Sequence, residues 1–126
     1  MIYGVGLDII ELARIERLLL KSDRFEKRIL TDEERERLRA YSGRRKVEFA
    51  AGRFAAKEAF VKAAGTGISG TYGFQDINIS NNSAGKPCLT FPDAAGMRAH
   101  VSITHSKEYA AAQVILEKVE LSASDF

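Results

Sequence analysis

The sequence predicts an α+β fold: a small antiparallel sheet packed with a long central helix. Three observations carry this expectation. Val47 to Ala64 repeats apolar residues at helical spacing and closes on Gly65. Ile2 to Asp8 alternates as a strand does. Most of the stretch from Ile77 to Leu116 is short alternating runs separated by turn residues.

The elements follow in chain order. In the first strand, Tyr3, Val5 and Leu7 share one face, and Ile2, Gly4, Gly6 and Asp8 the other. The two glycines leave bare backbone beside Asp8, where a ligand could approach closely. A helix is expected next, with Leu12, Ile15 and Leu19 facing inward and Arg14, Arg17, Lys21 and Arg24 forming a basic stripe. Thr31 with Glu34 is a capping-box signature, opening a short charged helix through about Tyr41. Ser42 and Gly43 break it, and the run Arg44, Arg45, Lys46 precedes the long helix. On that helix Phe49, Ala56, Phe60 and Ala63 make a core face, and Ala51, Ala55, Glu58 and Lys62 make another. Ile77 and Ile79 begin a hairpin that turns at Asn81 to Gly85 and returns through Cys88 to Phe91. Val101, Ile103 and His105 alternate again. The alanines of Tyr109 to Leu116 favour helix, while Val114 and Ile115 tolerate strand. Pairing this segment with Val101 to His105 across Ser106 to Glu108 gives a simple hairpin. Ser122 to Phe126 reads as a loose tail.

The bulk properties narrow the function classes. A chain of 126 residues suits one domain spanning 1–126, and oligomerisation can add stability to so short a chain. A net charge of +2 is too small to imply nucleic-acid binding by itself. The single cysteine, Cys88, forms no internal disulfide, which fits a reducing, cytoplasmic setting. No apolar run reaches the roughly 20 residues of a membrane span, and the N-terminus lacks signal-peptide features, so no membrane role is expected.

Asp8 supports two readings. With Glu11 it forms a helix N-capping arrangement. As a hard oxygen donor it would instead suit Mg²⁺, and capping leaves one carboxylate oxygen free for a metal. Glu58 and Lys62 are spaced as an ordinary helix ion pair. Their alanine neighbours are unusual for a fully solvated face, and Mg²⁺ often takes two protein carboxylates with phosphate and water. Asp8 and Glu58 can supply these, with Lys62 one turn along to offset phosphate charge or take a proton. Alone, His105, the Gly85–Lys86–Pro87 turn and the run from Arg44 to Lys46 read as packing or solvated residues.

Their joint order is more specific. GVGLDIIELARIERLL, FAAKEAFVKAAGTGI and SITHSKEYAAAQVIL closely resemble the three blocks of the holo-acyl-carrier-protein synthases, a bacterial branch of the 4′-phosphopantetheinyl transferase superfamily. The resemblance spans nearly the whole chain. Val5 and Leu7 stand where isoleucine is usual, and Lys27 to Lys46 and the tail after Leu116 carry little family signal. The resemblance implies a Mg²⁺-dependent transfer of phosphopantetheine from coenzyme A to a serine of apo-acyl carrier protein, for fatty acid biosynthesis. It implies that Asp8 and Glu58 bind the metal and that Lys62 stabilises charge or deprotonates the serine. Free lysine titrates near 10.4, which ranks the electrostatic role first. It further implies coenzyme contacts from Arg45, Arg53, Gly85, Lys86, Pro87, His105 and Ser106. Acyl carrier proteins of this kind are strongly acidic, so Arg14, Arg17, Lys21 and Arg24 become a docking stripe. A homotrimer with sites between subunits is implied as well. The rivals are a non-catalytic basic module that binds nucleic acid or an acidic protein, and a degenerate relative that binds carrier protein without modifying it.

Overall fold

A computed structural model describes residues 1–66, 71–92, 94 and 96–119. The chain forms β1 (Ile2–Glu11), α1 (Leu12–Lys21), α2 (Arg24–Ile29), α3 (Asp32–Leu38) and α4 (Gly43–Ala64). After a 3₁₀ turn at Phe74–Asp76 come β2 (Asn78–Asn81), β3 (Pro87–Thr90), β4 (Met97–His105) and β5 (Tyr109–Lys118). The strands make an antiparallel three-stranded sheet in the order β1-β5-β4 and a separate antiparallel β2-β3 pair. The α+β class, the long central helix and the antiparallel sheet stand as expected. No helix among the described residues is long and apolar enough to cross a membrane.

The sheet lays its inner face on α4. Ala110, Ala112, Val114 and Leu116 point inward from β5, opposite Ile10, Asp8, Gly6 and Gly4 of β1. That period of two resolves Tyr109 to Leu116 as strand. Its alanines are the small residues that let the central strand sit close under a helix. On the helix side, Ala55, Ala56, Ala59, Phe60 and Ala63 are buried.

Several boundaries differ from the sequence expectation. β1 runs on to Glu11, because Asp8 to Glu11 pair in register with Ala112 to Tyr109. Leu12 then opens α1 after Glu11, with no side-chain cap. Asp8 therefore lies inside a strand, and the capping reading is wrong. Lys21 ends α1 and Arg24 opens α2, so the basic stripe spans two helices. The capping box forms as expected, but α3 ends at Leu38. α4 starts at Gly43, which makes Arg44, Arg45 and Lys46 its first turn rather than a loop. At its other end Gly65 adopts φ +77°, the left-handed cap that favours glycine. Gly67 and the tail from Ser122 to Phe126 lie outside the described residues.

The glycines of β1 serve packing rather than ligand access. A Cβ on Gly6 would stand 1.8 Å from the Ala59 carbonyl oxygen, and one on Gly4 would stand 1.9 Å from that of Ala63. The backbone of α4 itself fills the space expected for a ligand. Gly6→Ala should push strand and helix apart, costing about 3 kcal/mol or more as an overpacked contact. Thermal melting and a turnover assay check this, since the same shift moves Asp8 away from α4. Unchanged melting and turnover would refute the tight approach.

Candidate functional site

The close approach of β1 to α4 brings Asp8, Glu58 and Lys62 together. Lys62 Nζ donates to Asp8 Oδ1 at 3.1 Å and to the Leu7 carbonyl at 3.0 Å. The Glu58–Lys62 helix pair expected from spacing is replaced by this cross-element bridge, because the lysine reaches over to the strand. Asp8 is largely shielded, with 16% of its side chain exposed. Glu58 is half-buried and its pKa is raised, first by burial and then by the Asp8 charge; Lys62 and Arg28 oppose the shift. Two acids that repel one another, with Asp8 Oδ2 and both Glu58 oxygens free of hydrogen bonds from the described residues, make a donor set suited to a hard divalent cation.

A second cluster sits toward the other end of α4. Arg45 stacks 5.0 Å over Tyr41, Arg53 stacks 4.3 Å over Phe49, and the two rings meet at 5.1 Å. These residues line a small cavity with Arg37, Glu48 and His105. Arg53 is 7% exposed, and its Nε has no hydrogen-bond partner among the described residues. Its Nη2 donates to Asn81 Oδ1 at 2.8 Å, and Asn81 Nδ2 in turn donates to the Gly85 carbonyl at 2.9 Å. Through Asn81, Arg53 is tied to the β2-β3 turn, where Gly85 has φ +86°. A cavity lined by three guanidiniums suits an anion. Lys86 and Pro87 line a different hollow, against β4. Ser106 sits beside His105, its carbonyl accepting from Arg44 Nη2 at 3.0 Å. Of the predicted coenzyme residues, then, Arg45, Arg53 and His105 share a cavity; Gly85 is linked to it, and Lys86 and Pro87 face elsewhere.

The basic stripe is only partly continuous. Arg14, Arg17 and Lys21 are exposed on α1. Lys21 and Arg24 line an open groove with Leu18, Phe25 and Arg28. Arg28, which lines this groove, also acts on the Glu58 carboxyl and opposes the rise in its pKa.

Residues 4–114 match the family profile of the 4′-phosphopantetheinyl transferase superfamily. The chain belongs to this superfamily. The holo-[acyl-carrier-protein] synthase of Bacillus velezensis is 56% identical over 119 residues, covering 94% of this chain and 98% of that protein. The synthase of Bacillus subtilis is 53% identical over the same length, with the same coverage. A crystal structure of a holo-(acyl-carrier-protein) synthase from Bacillus anthracis, in complex with CoA (3′,5′-ADP), matches with a TM-score of 0.87 at 52% identity, covering 94% of this chain and 98% of that one. The Helicobacter pylori holo-[acyl-carrier-protein] synthase in complex with coenzyme A matches with a TM-score of 0.80 at 30% identity, covering 90% and 99%.

Sequence reasoning missed several residues of this transferase fold. Lys57, next to Glu58, is fully buried. Its Nζ donates to Glu34 Oε1 at 2.6 Å, to the Ile29 carbonyl at 2.7 Å and to the Phe74 carbonyl at 3.0 Å. Glu34, expected only as a cap, also accepts from the Ile79 amide at 2.7 Å. The middle of α4 is buried on nearly every side, so a lysine within it must find a buried partner. Tyr41, Phe49, Leu18, Phe25 and Arg28 became visible only once the helices were packed.

Proposed function

We propose that this chain transfers the 4′-phosphopantetheine group of coenzyme A to a serine hydroxyl of apo-acyl carrier protein, releasing adenosine 3′,5′-bisphosphate. The observation that carries this is the convergence of Asp8, Glu58 and Lys62, within a chain 56% identical over most of its length to a holo-[acyl-carrier-protein] synthase. Asp8 and Glu58 would hold Mg²⁺, and Arg45, Arg53 and His105 would take a coenzyme phosphate. When bound, Mg²⁺ supplies charge neutralisation and orients the pyrophosphate for in-line attack. The serine Oγ–phosphorus bond forms as the bond to the bisphosphate leaving group breaks, and the serine proton passes to water. Lys62 stays within one helical turn of Glu58 and offsets charge on the transferring phosphate. Because the nucleophile belongs to the partner, this chain needs no activated serine or cysteine of its own. The setting we infer is cytoplasmic, with the product serving fatty acid biosynthesis.

The groove at Leu18, Lys21, Arg24, Phe25 and Arg28 suits an acidic carrier protein, having an apolar floor and a cationic rim. Arg14→Glu with Lys21→Glu should raise KM for carrier protein at least tenfold at low salt, with kcat little changed. Titrating each substrate separately checks this, and a selective effect on coenzyme A would refute the docking face.

A homotrimer accounts for the separation of the two clusters. Arg45 and Glu58 stand about 20 Å apart along the axis of α4, so a neighbouring subunit is needed to bring a cationic cavity up to an acid pair. Tyr3, Val5, Leu7 and Ile9 give β1 an outer apolar face, each residue more than half exposed. A monomer by sedimentation at assay concentration would remove this part of the reading.

Mass spectrometry of apo-acyl carrier protein incubated with this protein, coenzyme A and Mg²⁺ tests the whole. The expected result is a mass gain of one phosphopantetheine, lost in EDTA. No gain, with salt-sensitive binding of RNA or DNA instead, would favour the nucleic-acid module.

A further inference from the structure

An acid stands where the coenzyme reading wants only cations. Glu48 lines the cavity of Arg45, Arg53 and His105, and its side chain is 14% exposed. A carboxylate beside a phosphate site weakens anion binding unless its charge is spent elsewhere. Here it is spent twice on one oxygen. Glu48 Oε2 accepts from Arg44 Nε at 3.1 Å and meets His105 Nδ1 at 3.1 Å. Arg44 extends the link, because its Nη2 donates to the Ser106 carbonyl at 3.0 Å and to the Lys107 carbonyl at 2.6 Å. The first two turns of α4 thus meet the end of β4 and the following turn through two hydrogen bonds from Arg44 and a 3.1 Å contact between Glu48 and His105.

For an imidazole this has a definite consequence. A carboxylate oxygen 3.1 Å from Nδ1 favours the ring proton on that nitrogen and leaves Nε2 on the opposite edge. Among the described residues nothing bonds that edge. We propose that Glu48 is a positioning residue for coenzyme binding: by holding Nδ1 of His105, it presents the Nε2 edge to a phosphate gripped by Arg45 and Arg53. This inference rests on the coenzyme reading above. There the pyrophosphate belongs with Asp8 and Glu58, which leaves the 3′-phosphate for this cavity.

The test uses coenzyme A and 3′-dephospho-coenzyme A as alternative donors, with folding of each variant checked by thermal melting. Glu48→Ala should raise KM for coenzyme A about tenfold, the worth of one hydrogen bond to a charged group. It should keep kcat within about threefold and leave KM for the dephospho donor nearly unchanged. Glu48→Gln retains an oxygen that accepts from Nδ1–H and should recover part of the loss. Nitrogen-15 NMR of the histidine rings, assigned against a His100→Gln background, should show an Nδ1-protonated tautomer for His105 that Glu48→Ala abolishes. An equal rise in KM for both donors would overturn the proposal, because it marks general distortion. So would an unchanged KM or an unchanged tautomer. Arg45→Ala separates the two levels. If it raises KM for coenzyme A selectively while Glu48→Ala does not, only the positioning role falls. If neither variant affects the preference for the 3′-phosphate, the phosphate reading of the cavity falls, and this proposal with it.

Discussion

Glu58→Gln should lower phosphopantetheine transfer by about a thousandfold or more while making the metal-free chain slightly more heat-stable at pH 7. The activity loss follows from losing one of two carboxylates proposed to hold the cation, an electrostatic contribution of several kcal/mol to the transition state. The stability gain follows from the sign of the pKa shift. Burial and the Asp8 charge raise the Glu58 pKa above its ordinary value of 4.5, so the folded state disfavours the ionised form. That penalty is fully present above the folded pKa and vanishes as the pH falls through it and below 4.5. The glutamine variant should therefore melt higher than the parent at pH 7, and the difference should close on acidification. Added Mg²⁺ should raise the parent's melting temperature and leave the variant's nearly unmoved. Asp8→Asn should match the activity loss. Turnover within tenfold of the parent in either variant would remove the metal assignment, whatever the melting curves show.

Lys57→Ala should cost about 3–5 kcal/mol, the expected penalty for breaking a buried ion pair by removing one partner. In a chain of this size that lowers the melting temperature by about 10–20 °C. The reason is local and severe. Lys57 and Glu34 are both completely buried, and the lysine supplies three hydrogen bonds while tying α4 to α3, to the end of α2 and to the 3₁₀ turn. Without it, Glu34 keeps its amide donors from Thr31 and Ile79 but loses its counter-charge. Combining Lys57→Met with Glu34→Gln should recover part of the loss, since no ion is left unpaired, although the glutamine's single oxygen accepts from only one of those two amides. Full recovery is not expected, because the carbonyls of Ile29 and Phe74 stay without their donor. Differential scanning calorimetry of the single and double variants checks both statements. A single variant that melts within a few degrees of the parent would show that the pair contributes little.

These two residues, adjacent on one helix, differ in how far they could be read from sequence. Glu58 stands out in the sequence because it precedes Lys62 by one turn among alanines and because an acid elsewhere, Asp8, can share a cation with it. Lys57 carries no such local cue. Its meaning depends on Glu34, which capping chemistry explained fully on its own terms; one carboxylate performs both tasks, and a pattern rule stops at the first. Arg45 and Arg53 are far from His105 in sequence, and packing puts all three around one cavity. The same packing turns Lys86 and Pro87 toward a different hollow.

What the chain determines by local rules is its periodicity, its caps and its turns. Alternation marks the strands, helical spacing marks α4, Thr31 with Glu34 opens α3, and Gly65 closes α4, because each depends on groups within a few residues of one another. Tertiary structure alone decided that Asp8 lies in a strand, that Gly4 and Gly6 admit a helix backbone rather than a ligand, and that Lys62 reaches Asp8 instead of Glu58. Those outcomes depend on which surfaces meet at van der Waals distance, and sequence spacing holds no information about the separation between two elements until burial of their apolar faces brings them together.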